Sequence, residues 1–169
     1  MSSLFGTDAQ PMHTDRAHVP HPPRYVFLEC IEQGESACST HLWPLDCGGL
    51  LMDRPSILTH PQWVFHDGVR SPFYGSVLEI HRQSGIKIRY DSCCMKAASG
   101  CRANVEDAGA VLDRYTKRFA VEWVKGALLI IDNWRCLHAR GPGSAASPSR
   151  RLRRWFTGEN NGLGERPAL

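Results

Sequence analysis

The sequence lacks any long hydrophobic run, and no apolar stretch approaches the ~20 residues that a helix needs to cross a bilayer. Its first residues show no basic segment followed by an apolar core, so no secretory signal is visible and a cytoplasmic location is expected. No internal repeat is evident. What is present is ordinary for one globular domain over residues 1–169: 42% hydrophobic and 22% charged residues, in a chain long enough to bury a core.

Cysteine is present without the spacing that a zinc site needs. The chain has 7 cysteines, an odd number, and no Cys-x-x-Cys pair. Most of them lie in apolar or strand-like segments, so we predict free, buried thiols. A zinc site formed by Cys47, Cys93, Cys94 and Cys101 is the weaker alternative.

A strong charge of either sign is also lacking, since the formal net charge is +3. The dense basic cluster is Arg150-Arg151-Leu152-Arg153-Arg154, which runs directly into Trp155-Phe156. This pattern is typical of a strand rather than of a solvated basic tail. We therefore expect no nucleic-acid partner and no membrane association.

Several short segments have strand composition. Tyr25–Cys30 follows a proline-rich lead-in, and Ala37–Trp43 follows the turn-like residues 32–35, so the two segments predict a hairpin. Gly126–Ile131 is an apolar run too short for most helices and predicts a buried strand. A final strand is expected from Leu152 to Thr157. Further short strand candidates lie at residues 62–66, 76–81 and 87–90, and a helical turn is expected within residues 50–60.

One segment is predicted to be helical. Asn104 can cap it, Asp107 lies in its first turn, and apolar side chains follow at helical spacing from Val105 to Phe119. Many short strands with few helices favour a mainly β (α+β) fold of the jelly-roll kind, either a sandwich or a barrel.

The triplet His13-Thr14-Asp15 is the first candidate site. On a strand, alternate side chains share a face, so His13 and Asp15 would point the same way. With His138 from a distant strand, they would complete the two-histidine, one-carboxylate set that binds Fe(II) and leaves positions open. The triplet alone is close to what chance supplies, and a surface loop pair is the alternative. The other nearby histidines, His18, His21 and His41, are not expected to be ligands.

The chain resembles the taurine dioxygenase-like family of Fe(II)- and 2-oxoglutarate-dependent oxygenases, which includes clavaminate synthase-like hydroxylases. Four motifs carry the resemblance. They are Pro11–Asp15 followed by Pro22-Pro23 and a strand, Thr40 with Leu42-Trp43, the apolar strand from Leu128 into Asp-Asn-x-Arg-x-x-His ending at His138, and the pair Arg150 and Arg154.

The resemblance implies a double-stranded β-helix (jelly-roll, cupin-like) core with one or two flanking helices, and it implies roles for individual residues. His13, Asp15 and His138 would hold Fe(II). Arg150 would pair with the distal carboxylate of 2-oxoglutarate, assisted by Thr40 or, if the register slips, by Ser39. Arg154 would contact the cosubstrate or an anionic substrate group. Candidate substrate contacts beside the third ligand are Trp134 and Arg135, with Arg140 as either a pocket or a loop residue.

The activity that the resemblance implies is oxidation of a small molecule, such as an amino acid or another small anionic metabolite. Oxygen and 2-oxoglutarate would be consumed, succinate and CO2 released, and the substrate hydroxylated. Asp15 argues against halogenation, because iron-dependent halogenases of this kind replace the carboxylate ligand with a small residue.

The sequence departs from the family pattern at its N-terminus. Family members carry a long segment before the His-x-Asp motif, whereas here the motif begins at His13. The chain is therefore expected to be an N-terminally shortened member. A compact variant, a homo-oligomer that covers the exposed sheet, and a fragment of a longer protein are the three explanations, and a non-catalytic metal-binding or interaction module is the alternative function.

Overall fold

The computed structural model describes residues 9–34, 39–81, 85–141 and 150–157. Within these ranges the chain forms eleven strands and three helices. The strands are β1 (Tyr25–Glu32), β2 (Thr40–Pro44), β3 (Trp63–Phe65), β4 (Phe73–Gly75), β5 (Leu78–His81), β6 (Gly85–Ile88), β7 (Met95–Ala97), β8 (Phe119–Val121), β9 (Leu128–Asp132), β10 (Cys136–Arg140) and β11 (Arg151–Phe156). The helices are α1 (Cys47–Asp53), α2 (Ser56–Thr59) and α3 (Val105–Asp113).

The strands form antiparallel sheets that pack face to face. One sheet has the order β11-β1-β9 and a second has the order β10-β2-β8. Strands β4-β3-β7 and the pair β5-β6 form smaller sheets beside them. The predicted mainly β jelly-roll fold is confirmed, although the flanking helices number three rather than one or two in the described ranges. None of these helices is long and apolar enough to span a membrane.

Two apolar clusters fill the interior. Alternate residues of β1 (Val26, Leu28 and Cys30) lie beside Ile131 of the neighbouring β9, and this apolar face packs with Cys136 of β10, which fills the space between the first two sheets. The second cluster lies on the other side of the β10-β2 sheet, where β3, β5 and β6 pack against the helices. The polar site described below lies at the end of the first cluster, whose Leu28, Leu152 and Phe156 also line it.

The predicted hairpin of the first two strand segments is wrong. β1 pairs with β9 and β11, whereas β2 pairs with β8 and β10, so the two strands belong to different sheets. The connection crosses from one sheet to the other, and turn-like residues do not report which of these two paths a chain takes. Part of the second predicted segment, residues 37 and 38, lies outside the described residues.

The predicted burial of the strand before Asp132 is also wrong. In β9, Leu129 and Ile131 face the interior, but Leu128 and Ile130 are 53% and 56% exposed on the outer face. An apolar edge strand of this kind is compatible with the expected homo-oligomer, which stays a prediction.

The predicted helix is correct at its start and too long at its end. The side chain of Asn104 accepts a hydrogen bond from Asp107 N–H at 2.7 Å, as a helix cap does. The helix ends at Asp113, since Thr116 forms a bridge with Leu45 and Phe119 already belongs to β8.

The thiols are free but not uniformly buried. Six cysteines are described and all are unpaired; Cys93 and Cys101 are exposed, which contradicts their predicted burial. Within the described ranges, no group of metal-ligating side chains contains a cysteine, so the alternative zinc site is not formed.

Candidate metal centre and its cavity

His13 and His138 are brought together by main-chain pairing. The His13 N–H donates to the His138 carbonyl at 3.0 Å, and the His138 N–H donates to the His13 carbonyl at 2.9 Å. Two residues that exchange both bonds stand directly opposite each other in an antiparallel ladder, with their side chains on the same face. The two imidazole centroids consequently lie 4.7 Å apart.

The other side of the His13 segment is held in the same way. His13 forms a second antiparallel bridge, to Asp91. The Thr14 N–H donates to the Tyr90 carbonyl at 2.7 Å, and the Thr14 hydroxyl accepts the Tyr90 N–H at 3.1 Å. The segment is thus a very short strand between β10 and the residues that follow β6.

Asp15 is positioned by a buried amide side chain. Asn133, which is 0% exposed, accepts the Asp15 N–H on its side-chain oxygen at 2.8 Å. Its side-chain nitrogen donates to the carbonyls of Asp15 and Pro23 at 3.0 and 2.9 Å. Both main-chain groups of Asp15 are satisfied by this one amide, which fixes the direction of the carboxylate.

The three side chains form one buried cluster. One ligand atom from each of His13, Asp15 and His138 lies within 4.8 Å of the other two. The shortest contact joins His138 Nε2 to Asp15 Oδ2 at 3.3 Å, and His13 Nε2 lies 4.0 Å from Asp15 Oδ1. Two imidazoles and a carboxylate on one side of a small space are a donor set that holds a divalent transition metal.

The electrostatics of the cluster suit metal binding. Burial, together with the neighbouring His138, lowers the pKa of His13 to about 4, so its imidazole is neutral near pH 7. Burial alone would raise the pKa of Asp15, but the hydrogen bond and charge of His138 and the charge of Arg154 hold it well below its usual range. A neutral imidazole and an ionised carboxylate are the forms that coordinate metals.

The ring nitrogens also fit a metal centre. His13 Nδ1 lies 2.8 Å from the Pro11 carbonyl, which only accepts, so this nitrogen carries the proton and Nε2 presents a lone pair toward Asp15. A main-chain partner on the far nitrogen is the usual support of a metal-bound histidine. His138 Nδ1 is buried without a hydrogen-bond partner, so the protein alone does not satisfy this ring.

The cluster opens into a cavity of about 670 Å³ between the first two sheets. All three residues expected at the cosubstrate line it: Thr40 from β2, Arg150 before β11, and Arg154 within β11. Arg154 also donates from Nη1 to Asp15 Oδ1 at 2.8 Å, so its nearest charged partner is the candidate metal ligand itself. The structure therefore brings six predicted site residues around one space, namely His13, Asp15, Thr40, His138, Arg150 and Arg154.

Two predicted substrate contacts lie elsewhere. Among the described residues, neither Trp134 nor Arg135 lines the cavity. The Trp134 indole is buried and donates to the Pro22 carbonyl at 3.1 Å, so it supports the chain after Asp15 rather than a ligand. Arg135 lies against the backbone near Gly85, where a Cβ atom would come within 2.9 Å of its guanidinium. The alternative to Thr40, Ser39, is absent from the described cavity wall, whereas Arg140 is part of it.

Several cavity residues were not found from the sequence. Arg16 and Arg70 line the cavity, as does Asp91, which is buried beside His13. His18, expected not to be a ligand, is outside the metal cluster but lines the same cavity. Of these, Arg16 and His18 had a sequence signal, their closeness to the His-x-Asp motif, whereas residues 70 and 91 reach the cavity through tertiary packing.

The comparisons with known proteins bear on the fold. No protein-family model and no curated protein sequence matches the chain. Among solved structures, the chain is similar to asparagine oxygenase in complex with Fe(II), (2S,3S)-3-hydroxyasparagine and succinate, with a TM-score of 0.68 and 19% identity over 89% of this chain and 50% of that one.

Two further solved structures are of the non-heme iron oxygenase OrfP. In complex with Fe, it matches with a TM-score of 0.68 and 20% identity, over 91% of this chain and 51% of that chain. In complex with Fe and alpha-ketoglutaric acid, it matches with a TM-score of 0.64 and 22% identity, over 85% of this chain and 47% of that chain. The chain spans about half the length of the structures that it matches. These likenesses establish that the chain has the oxygenase jelly-roll fold.

Proposed function

We propose that residues 1–169 form one domain that binds Fe(II) and 2-oxoglutarate and, with dioxygen, hydroxylates a small molecule. The observation that carries this proposal is the buried His13, Asp15 and His138 cluster at the base of a cavity that Arg150 also lines. Asparagine oxygenase and OrfP, whose fold the chain shares, are iron oxygenases, which supports the same chemistry. The order of the sequence motifs supports the taurine dioxygenase-like branch.

The residues present fit the metal. His13 is neutral with its Nδ1 held by a carbonyl, Asp15 is ionised, and His138 directs its Nε2 toward Asp15, 3.3 Å away. Two histidines and one carboxylate would hold Fe(II) and leave positions open for a chelating cosubstrate and oxygen. When bound, this group would supply the oxidising power for hydroxylation, with release of succinate and CO2.

The protein would hold the cosubstrate by its distal carboxylate. Arg150 offers a planar, permanently charged fork that matches a carboxylate. Thr40 Oγ1 accepts the Trp123 indole N–H at 2.9 Å, which leaves its O–H to donate to the same carboxylate. Arg154 is paired with Asp15. It keeps the Asp15 carboxylate ionised and does not reach the far end of the cosubstrate.

The substrate in this proposal is an amino acid or another small anionic metabolite. Besides its polar groups, the cavity wall has apolar surface from Leu28, Leu152 and Phe156. This surface can hold the apolar part of a small molecule and exclude water from it. The printed complexes of the neighbours contain hydroxyasparagine and hydroxyarginine, which are amino acids.

A second candidate follows from the length of the match. Because the chain spans about half of each solved structure, the second candidate is a metal-binding or interaction module that does not turn over substrate. Both functions require the metal cluster. They differ in whether bound cosubstrate is converted to succinate.

The test separates binding from turnover. Fe(II) and 2-oxoglutarate, added to the protein without oxygen, should produce the visible charge-transfer band of the chelate. Admission of oxygen should then yield succinate, with faster release when amino acids are supplied. The variant His13→Ala should lose both signals.

The matched control is His60→Ala, which removes an exposed histidine away from the cavity and should keep both signals. Metal binding with a band but without succinate would favour the non-catalytic module. Absence of the band in the native protein would overturn both the cosubstrate and the oxygenase assignments.

A further inference from the structure

The hydroxyl of Thr40 is bound from one side by a buried indole. Thr40 is 5% exposed in β2, and its Oγ1 accepts the Trp123 N–H at 2.9 Å. An indole nitrogen only donates, so the direction of this hydrogen bond is fixed. Among the residues that the structure describes, no acceptor takes the Thr40 O–H, although Thr40 lines the cavity. A buried hydroxyl hydrogen is therefore left for a ligand in the cavity.

The path of the chain brings Trp123 to Thr40. Val121, the last residue of β8, pairs with Thr40 in the second sheet, and Trp123 follows two residues later. The chain then crosses to the first sheet, where the Gly126 N–H donates to the Cys30 carbonyl at 2.8 Å. Trp123 is thus anchored on both sides of a short crossing, and its ring is buried in the apolar cluster between the two sheets.

Arg150 reaches the cavity at the same end. Leu152, two residues after it, pairs with Cys30 of β1. Burial raises the pKa of the Cys30 thiol, and the charge of Arg150 acts against that shift, as a nearby cation does. Since Cys30 also holds the crossing that carries Trp123, Arg150 and Thr40 line one end of the cavity from the two facing sheets.

The spacing along the ladder relates this end to the metal cluster. His138 pairs with Leu42, whereas Thr40 pairs with Arg140, two residues further along both strands. Two residues of a strand span about 7 Å. This span is comparable with the length of a five-carbon diacid, so a molecule with one end at His138 would place its other carboxylate near Thr40.

We propose that Trp123 is a positioning residue of the cosubstrate site, which acts through the hydroxyl of Thr40. Its N–H occupies one acceptor position of Oγ1, so the O–H turns into the cavity and donates to the distal carboxylate of 2-oxoglutarate beside Arg150. A carboxylate only accepts hydrogen bonds, and a donor that is already oriented loses less freedom on binding it. The identity of the ligand rests on the proposed function, whereas the coupling of Trp123 to Thr40 is measurable with another five-carbon diacid.

The test uses glutarate, which has the five-carbon chain and both carboxylates but no keto group, so its binding does not depend on chelation of a metal. Glutarate is titrated into the metal-free protein, with the indole N–H resonances followed by NMR and the affinity measured by calorimetry. The resonance that disappears in Trp123→Phe belongs to Trp123, and we expect it to shift with glutarate. The resonance of Trp63, which donates at 2.9 Å to the Ile57 carbonyl in the other apolar cluster, should not move.

The variants separate positioning from packing. Thr40→Val keeps the shape but removes the hydroxyl, and it should weaken glutarate binding roughly tenfold, as the loss of a hydrogen bond to a charged group does. Thr40→Ser keeps the hydroxyl and should restore most of the affinity. Trp123→Phe should weaken binding about threefold, since the hydroxyl remains but is no longer oriented. The double variant Trp123→Phe/Thr40→Val should bind as Thr40→Val alone does, because Trp123 acts through the hydroxyl.

The matched control is Trp63→Phe, which removes a buried indole hydrogen bond of the same length and should leave glutarate affinity unchanged. Native affinity in Trp123→Phe, a double variant weaker than Thr40→Val, or an unshifted Trp123 resonance in the native protein overturns the positioning role.

The proposal stays testable if Trp123→Phe does not fold. The Trp123 resonance is then identified by its displacement in Thr40→Val, where its response to glutarate should be lost, and a retained response overturns the role. Loss of the Fe(II)–2-oxoglutarate band in the native protein, with these glutarate results intact, overturns the oxygenase proposal alone.

Discussion

Two adjacent stretches of the chain are held by different means. Residues 13–14 are fixed by main-chain pairing to His138 on one side and to residues 90–91 on the other. Residues 15–23 instead receive their hydrogen bonds from buried side chains, of which Arg89, Asn133 and Trp134 supply the donors. A ladder tolerates many side chains, whereas a carbonyl that depends on one distant donor does not. The difference identifies which substitutions should disturb the site.

The largest effect is expected at Arg89. Replacement by leucine removes the donor for three carbonyls and takes from Glu79 the guanidinium that lies 3.2 Å away, so that Lys87 alone remains as its buried cationic partner. We expect a loss of about 3–5 kcal/mol in the free energy of unfolding, typical of breaking a buried charge pair. Urea denaturation measures it. Arg89→Lys should recover only part of the loss, since an ammonium lacks the planar fork. A loss under about 1 kcal/mol would contradict the role assigned to this side chain.

Asn133 should come next and should act on the metal site directly. Asn133→Leu keeps the volume but leaves both main-chain groups of Asp15 and the Pro23 carbonyl unpaired, at a cost of about 2–3 kcal/mol. Because Asp15 would lose its orientation, metal affinity should fall about 10–100-fold, as it does for other supporting residues of metal ligands. Calorimetric titration with Co(II) or Fe(II) reports it. Asn133→Asp keeps only the acceptor, so its metal affinity should lie between those of the native protein and the leucine variant. Full metal affinity in Asn133→Leu would contradict the role of Asn133 in orienting Asp15.

Glu79 provides a pH-dependent test of the same stretch. Burial would raise the pKa of this carboxyl, but its hydrogen bond with Lys87 and the charge of Arg89 outweigh that effect and lower it. A lowered folded-state pKa stabilises the protein above the unfolded pKa of about 4.3, and the stabilisation disappears as the pH falls through the folded value. Since Glu79 is partly solvent-screened, Glu79→Gln should cost about 1–2 kcal/mol at pH 7.

The comparison is made by urea denaturation of both proteins at pH 7 and near pH 3.5. The gap between the native protein and Glu79→Gln should narrow at the lower pH. If the difference in stability between the two proteins were the same at both pH values, the charge of Glu79 would not contribute to the stability of its contact with Arg89.

The smallest effect is expected on the main-chain side. Thr14→Val removes the hydroxyl that accepts the Tyr90 N–H, but the Thr14 N–H bond to Tyr90 and the His13–His138 pair remain. We expect a loss of about 1 kcal/mol and less than a threefold change in metal affinity. If Thr14→Val were as damaging as Asn133→Leu, the contrast between the two stretches would not hold.

The same contrast explains what the sequence could predict. Alternation along a strand is a local property, so the sequence predicts that His13 and Asp15 share a face, and the structure brings both side chains together with His138. The main-chain pairing ends at Thr14, however, and the position of Asp15 depends on Asn133. Asn133 is a single polar residue within a motif, and no periodicity tells which carbonyls it will reach 110 residues away. Arg89 similarly lies at the end of a strand segment with nothing local to indicate that it is buried.

Errors in the predicted elements have related physical causes. The β1–β2 hairpin was wrong because a crossover between facing sheets and a hairpin have similar turn residues. The apolar residues Leu128 and Ile130 predict that β9 is buried on both faces, but both side chains are exposed. The composition of a strand does not reveal whether another element packs on its second face. Trp134 is predicted to contact the substrate because it lies close to His138 in the sequence motif, whereas its indole N–H donates to the Pro22 carbonyl.

The donor set itself has a consequence for how the protein must be handled. Divalent metals bind imidazole and carboxylate ligands in the Irving–Williams order, so His13, Asp15 and His138 should retain Zn(II), Ni(II) or Cu(II) more strongly than Fe(II). Protein purified on a nickel resin would then carry an ion that occupies the cluster without supporting redox chemistry. The occupancy of the site is thus decided by metal supply, and removal of these competitors with a chelator comes before any assay of oxidation.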